Sequence, residues 1–237
     1  SLPKGQIFAE AWESPKQMLD AQMFLTSGSG FRGPQRTVLP PAQYRYNPRL
    51  YSIVESSVLN VPVGQVAVIK DNASDRYTAS EGEELSVVNG VPIVPNGYRG
   101  IWMEAMTPNQ YYMHPQAYEV IYTKTSKRVY DYTGKNSISV RTLDGYQFPV
   151  DVRVSVKISA ENAPYVVALL GDPDADANGD GFDVLEEKAI LPSIRSILRN
   201  SAEGANGLEY VRERSTIETS STEAFRKDMQ KFKVEVD

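Results

Sequence analysis

The chain contains no cysteine, which removes disulfides, thiolate metal sites and cysteine nucleophiles together. It has a single histidine, His114. A Ser-His-Asp triad or a histidine-ligated hydrolytic metal would have to be built on that one imidazole. Basic charge is also short: 25 Lys and Arg against 30 Asp and Glu give a net charge of −5. A nucleic-acid surface needs a basic patch, so nucleic acid is not expected as a partner. No apolar run approaches the roughly 18–20 residues that span a bilayer. The longest, YVVALL, has the length of an ordinary buried segment. No P-loop occurs, and the one G-x-G-x-x-G string, GSGFRG at 28–33, reads as a flexible turn rather than a dinucleotide-binding fingerprint. The chain opens at Ser1 with no signal-peptide pattern and reads as a trimmed form, with any membrane anchor outside it.

What is present is an ordinary globular composition, 41% hydrophobic and 23% charged over 237 residues, ample for one large or two small domains. Within it one pattern of glycines, prolines and tyrosines occurs twice. GFRGPQRTVLPPAQYRYNPRLYSI at 30–53 returns sixty-seven residues later as GYRGIWMEAMTPNQYYMHPQAYEV at 97–120, identical at 8 of 24 positions. Chance gives roughly one or two. The shared residues are Gly30/Gly97, Arg32/Arg99, Gly33/Gly100, Pro41/Pro108, Gln43/Gln110, Tyr44/Tyr111, Pro48/Pro115 and Tyr51/Tyr118. A matching head, PKGQI at 3–7 and PVGQV at 62–66, precedes each copy. Proline cannot donate to a ladder, so P-x-Q-Y-x-x-x-P-x-x-Y reads as strand, turn, strand with the tyrosines packed on a sheet. Both copies are expected to follow one backbone path. His114 stands in the slot that Asn47 fills in the first copy, within a turn, which favours a structural use over catalysis.

Between and after the repeats the periodicities are plainer. MLDAQMFL (18–25) has the pattern of a short helix, and QVAVIK (65–70) that of a strand. In SISVRTLDGYQFPVDVRVSVKI, Phe148, Val150, Val152, Val154, Val156 and Ile158 share one face, while Asp151, Arg153, Ser155 and Lys157 share the other. With Asp144-Gly145 as the turn, this predicts a long half-buried hairpin. Beyond Ile158 the period becomes helical: a short helix through YVVALL with Ser159 as its cap, then VLEEKAILPSIRSILRN with Pro192 as a kink. A densely charged helix spans about 208–232, and the terminal KVEV reads as the beginning of a strand.

One stretch carries chemistry. In DPDADANGDGFDVLEE, Asp176, Asn178, Asp180, Gly181 and Glu187 fit D-x-[DN]-x-[DN]-G-x5-E, the calcium-loop pattern. Calcium takes six to eight hard oxygens, and alternate side chains of a tight loop converge to supply them. Glycine at position six permits the turn, the carbonyl of Phe182 serves position seven, and Glu187 offers two oxygens at position twelve. The candidate ligands for Ca2+ are therefore Asp176, Asn178, Asp180, Phe182 and Glu187. Asp183 occupies position eight, where an aliphatic residue is usual, and Pro173 separates the incoming helix from the loop. The alternative is a solvated acidic insertion, to which Asp172 and Asp174 add charge. A carboxylate-only hydrolase is the third and least supported reading.

The order of T-x-D-G hairpin, alternating strand, helix, LPSIRSILRN, arginine-bearing helix and terminal KVEV resembles the SPFH superfamily of stomatins, prohibitins and flotillins. The leader DAQMFLTSGSGFRGPQRTVLPPAQYRYNP is similar to that of bacterial flotillin-like proteins, where G-x-R-G…Y-x-x-N-P precedes the domain. The resemblance implies an α+β fold: a twisted antiparallel sheet with packed C-terminal helices, here preceded by the duplicated β-rich unit. It divides the chain at 1–57, 58–158 and 159–237. It also implies a non-enzymatic, membrane-associated scaffold that self-associates into rings or cages and partners membrane proteins such as proteases. The family's N-terminal membrane segment and C-terminal coiled coil are not in this sequence, so membrane attachment rests on the resemblance alone. The competing reading is an extracytoplasmic, calcium-binding, β-rich interaction module with no scaffold role.

Overall fold

Strand β2 (Gln65–Asp71) is the QVAVIK segment, and it is buried on both faces. Val66 and Val68 enter the main core, whereas Ala67 and Ile69 join a smaller cluster with Val61, Val94 and Trp102. A strand covered on both sides reads as a continuous apolar run rather than an alternation. The computed structural model describes residues 2, 6–9, 11–26, 31–80, 85–176, 179 and 181–237. Around β2 lies a five-stranded sheet with β3 (Ser86–Val88), β4 (Val91–Val94), β5 (Gly100–Trp102) and β7 (Tyr118–Lys124) in the order β3-β4-β5-β2-β7. Only the β4–β5 pair in it is parallel. A short ladder joins β1 (Leu59–Val61) to β6 (Asn109–Tyr111).

The expected long hairpin is shorter and changes partners. Strands β9 (Ile138–Arg141) and β10 (Gln147–Val150) pair as expected across the Thr142–Tyr146 turn, where Gly145 takes φ +88°. At Asp151 the chain leaves that ladder, and β11 (Val152–Lys157) pairs instead with β8 (Arg128–Tyr132). The Asp151 carboxylate accepts the Gly134 N–H at 3.1 Å, fixing the corner. The apolar alternation continues through the break because both ladders turn the same side chains toward one core.

Helix α3 (Ala163–Leu170) packs over the five-stranded sheet. It begins with Pro164 in its first turn and takes no side-chain cap, so the Ser159 hydroxyl does not serve as one. The Pro192 kink is present in a specific form. A π-helical turn, Glu186–Ile190, passes into α4 (Leu191–Glu203) with the proline in the first α turn. A residue without an N–H tolerates the wider turn immediately before it. Then come α5 (Gly207–Arg212), with a capping box between Asn206 and Glu209, and α6 (Arg214–Lys231). The terminal KVEV does form a strand: β12 (Glu235–Val236) pairs antiparallel with β11. The main core lies between these helices and the sheets, filled by Val156, Ile158, Leu185, Ile190 and Met229. The fold is α+β.

The N-terminal unit departs from expectation. MLDAQMFL is split into α1 (Pro15–Leu19) and α2 (Ala21–Thr26), because the Asp20 carboxylate caps the Gln22 and Met23 N–H groups. Residues 31–53 form no strand, only a parallel bridge between Ala9 and Gln35 and a turn at 48–50. The shared strand–turn–strand path is therefore corrected for the first copy. In the second copy β5, β6 and β7 each find a partner strand; the first has none beside it, and an unpartnered strand is unstable. The local chemistry of the repeat does survive. Tyr44 Oη donates to Pro40 O at 2.8 Å, and Tyr111 Oη donates to Thr107 O at 2.9 Å. The Asn47 side chain accepts the Arg49 N–H at 3.0 Å, and His114 Nδ1 accepts the Gln116 N–H at 3.2 Å. The turn bonds Leu50 N–H to Asn47 O and Ala117 N–H to His114 O match as well, at 3.0 and 3.1 Å. The first unit docks on the second through Phe8 edge-on to His114 (4.9 Å) and Arg36 on the Ser74 hydroxyl (2.9 Å).

Candidate functional site

After α3, Gly171 at φ +89° ends the helix and the chain enters the acidic loop. The base of the loop is closed by Val184 N–H to Ala175 O (3.0 Å), Leu185 N–H to Pro173 O (3.2 Å) and an Asp176–Asp183 bridge. At its tip the Asp176 carboxylate accepts Gly179 N–H at 3.0 Å and Gly181 N–H at 3.4 Å. Gly179 and Gly181 take φ +74° and +82°, so position six of the calcium pattern is left-handed, where glycine is at home. Phe182 is exposed, and Glu187 lies exposed in the π turn. Asn178 and Asp180 lie outside the described residues. Among the described residues no group of three or more His, Asp and Glu is arranged to hold a metal ion.

Two acidic residues of this stretch face inward. Arg128 of β8 sends Nη2 to the Asp174 carboxylate at 2.7 Å and Nη1 to Asp183 Oδ2 at 3.1 Å. All three side chains are largely buried. Asp174 also accepts the Lys124 N–H at 3.0 Å. Asp183 accepts Tyr130 Oη–H at 2.9 Å and, through its other oxygen, the Glu186 N–H at 2.7 Å. Tyr132 Oη donates to Glu186 Oε1 at 2.9 Å. Burial pushes the Asp174 and Glu186 pKa values up, against the pull of the Lys124 amide and Arg128 on Asp174 and of Tyr132 on Glu186. Burial, and then the neighbouring carboxylates, also push the Tyr130 and Tyr132 hydroxyls up, so both stay protonated donors at neutral pH. Asp174 and Asp183 are thus spent on a guanidinium clasp that holds the loop to the sheet. Position eight of the calcium pattern is an internal anchor, which explains why Asp183 stands in an aliphatic slot.

Sequence reasoning missed Arg128, Tyr130 and Tyr132. Their signal is the alternation in RVYDY, which turns Arg128, Tyr130 and Tyr132 to the covered face and Val129 and Asp131 to the exposed one. A cation on the covered face of a strand requires a buried anion.

A separate groove of about 690 Å³ lies between β10–β11 and helices α4, α5 and α6. It is lined mainly by Phe148, Val150, Val152, Val154, Ile197 and Tyr210. Neither carboxyl with a raised pKa, Asp174 or Glu186, lines it, so the groove and the shifted acids do not combine into one acid–base site. His114 is used by its turn, and burial holds its pKa below the usual imidazole value. No helix among the described residues is long and apolar enough to cross a membrane. A family model described as "SPFH domain / Band 7 family" matches residues 59–237, most of the chain. The curated proteins contain no match to it.

Proposed function

The chain belongs to the SPFH domain / Band 7 family, whose members are membrane-associated scaffold domains that are generally non-enzymatic and generally oligomerise, and on that premise we propose that it works by self-association and partner binding, without turnover. The match over 59–237 carries this reading. Within the family, the leader Gly30-x-Arg32-Gly33…Tyr44-x-x-Asn47-Pro48 supports a bacterial flotillin-like member. Its partners are further copies and membrane proteins, a membrane protease among them, and the anchor is carried outside residues 1–237. Confinement to a surface raises effective concentration without adding affinity per contact. The chain alone is then monomeric or weakly associated in dilute solution, while the anchor-bearing protein forms large oligomers. Sedimentation of both forms tests this: an anchor-bearing protein that stays monomeric in detergent and in lipid sinks it.

The acidic loop is proposed to bind Ca2+ through Asp176, Asn178, Asp180, the Phe182 carbonyl and Glu187. Supporting this are the register of the pattern, the left-handed Gly181 and the closed base of the loop. Two of the loop's acids are spent on Arg128, so affinity is expected to be weak, on the order of 10⁻⁴–10⁻³ M. Calcium tenfold above Kd should add about 1.4 kcal/mol to the native state, or about 3–6 °C in Tm for a chain of this size. An identical calcium response in Glu187→Ala, or no response in either protein, returns the loop to a solvated insertion.

A further inference from the structure

Strand β7 borders the five-stranded sheet, with β2 on its inner side and no strand on its outer side among the described residues. In an antiparallel ladder the N–H and C=O of one residue point to the same side, and the side alternates along the strand. Two bonds beyond the ends of the ladder fix which residues of β7 face inward. Asn72 donates its N–H to Ala117 O at 3.2 Å, and Thr125 donates its N–H to Gly64 O at 2.9 Å. Between them Glu119, Ile121 and Thr123 face β2, while Tyr118, Val120, Tyr122 and Lys124 turn their N–H and C=O outward. Lys124 is already held: its N–H donates to the Asp174 carboxylate at 3.0 Å, and its C=O accepts from the Arg128 guanidinium at 3.4 Å. Tyr118, Val120 and Tyr122 have no backbone partner on the outer side among the described residues.

An open edge is a template for another strand unless proline, a bulge or a cluster of charge guards it. β7 is seven residues long, pairs with β2 without a bulge and contains no proline. The sheet's other edge strand, β3, has only three residues. Tyr118 and Val120 are half buried and Tyr122 is exposed. Their side chains share the face of the smaller core cluster, where Ala67, Ile69 and Trp102 lie. The free set therefore reads tyrosine, valine, tyrosine in either direction. It is its own complement about Val120.

We infer that β7 pairs antiparallel with β7 of a second copy about a two-fold axis at Val120, joining the two five-stranded sheets into one. Val120 then stands opposite the second copy's Val120, and Tyr118 opposite the second copy's Tyr122. Each opposed pair exchanges two backbone bonds, and aromatic and β-branched side chains add contact across the strands. On the other face Glu119 meets the second copy's Ile121, so no like charges are opposed. Moving the axis to Ile121 sets Tyr118 opposite Lys124, whose backbone is held, and loses that pair. Moving it to Glu119 sets Tyr122 opposite Gln116, whose N–H is held by His114 Nδ1, and places Glu119 opposite itself. A slip of one strand by one residue sets outward-facing groups against inward-facing ones and forms no ladder. The contact is isologous and closes at two copies, so growth beyond a dimer requires a second, different contact. This rests on the self-association reading and gives it one specific surface.

The absence of cysteine makes the axis directly readable. A hydrogen-bonded antiparallel pair has Cα atoms about 5.5 Å apart, within the disulfide range. With the full chain tethered to vesicles and oxidised, Val120→Cys is expected to form a disulfide-linked dimer about tenfold faster than Val63→Cys, through local concentration. Val63 is 92% exposed in the turn before β2, so collision alone favours crosslinking there instead. The second arm is Tyr122→Pro. Proline is tolerated on an edge strand where the lost N–H faces solvent, so melting should change little. Association between tethered copies should weaken about tenfold or more, because the shared ladder loses two donors. If Tyr122→Pro melts far below the parent, the crosslinking arm decides alone. Val120→Cys crosslinking no faster than Val63→Cys, or a folded Tyr122→Pro that associates like the parent, overturns the β7 contact. In that event a parent chain that still oligomerises leaves the scaffold reading standing. A parent that shows no association at any surface density overturns both.

Discussion

Replacing Arg128 by methionine keeps most of the side-chain volume and leaves Asp174 and Asp183 facing each other with no cation between them. Arg128 is 11% exposed and Asp174 15%, so bulk water offers little screening in exchange. Removing one partner of a buried pair costs about 3 kcal/mol, or about 6–12 °C in Tm for a chain of this size. The pH dependence is the sharper signature. A carboxyl whose pKa is raised on folding holds its proton more tightly in the native state. Its ionisation therefore costs stability as pH rises through the raised value, and costs nothing below the unfolded value. Burial already raises Asp174 in the native protein, with Arg128 opposing the rise. Without the guanidinium the rise is larger, so the deficit of Arg128→Met should be greatest near about pH 7.5 and shrink toward about pH 4.5, where carboxyls begin to protonate. Urea unfolding of both proteins at those two pH values reads it. A further Asp174→Asn substitution in the variant should recover part of the loss at the higher pH. A deficit under about 1 kcal/mol, the scale of a surface pair, or one that does not change with pH, would refute the clasp.

Three other outcomes follow from single backbone or turn positions. Gly100→Ala places a Cβ 2.7 Å from the Pro92 carbonyl oxygen at φ +141°, and should lower stability by about 2 kcal/mol or more in a thermal melt. Lys233 ends α6 at φ +58°, a left-handed position where glycine is preferred; Lys233→Gly should gain up to about 1 kcal/mol, and a loss would mean that its contact over Tyr165 matters more. His114→Asn should cost no more than about 1 kcal/mol, chiefly the Phe8 ring contact, because Asn47 makes the same turn bond in the first copy. His114→Ala should cost more, since the Gln116 N–H then loses its acceptor.

What the sequence made legible was chemistry confined to a few neighbouring residues. The repeated hydrogen bonds of Tyr44 and Tyr111, the Gly145 turn, the Pro192 transition and the β character of KVEV all depend on atoms within about one turn of chain. The α+β class came from the family resemblance, and the change from period two to helical spacing at Ile158 agrees with it. Strand formation at 30–53 could not be decided this way, since the same P-x-Q-Y spacing becomes strand only where β1 and β2 stand beside it. The partner change at Asp151 was hidden because both ladders use one apolar face. In the acidic loop the pattern offered only candidate ligands for calcium, whereas Asp174 and Asp183 take their roles from Arg128, 46 and 55 residues away along the chain. Charge that a local reading assigns to solvent or metal is in part the internal counter-ion of a strand.

Assembly of this domain is proposed to be driven by confinement to a surface. The chain can be tethered through an added terminal tag to lipid vesicles at graded density, with self-quenching of a fluorophore on a single introduced cysteine reporting proximity between copies. Surface-driven assembly predicts quenching that rises cooperatively with surface density, at bulk concentrations where the untethered chain sediments as a monomer or weak oligomer. Quenching no greater than that of an inert tethered protein at every density, with diffusion matching a single copy, would contradict it.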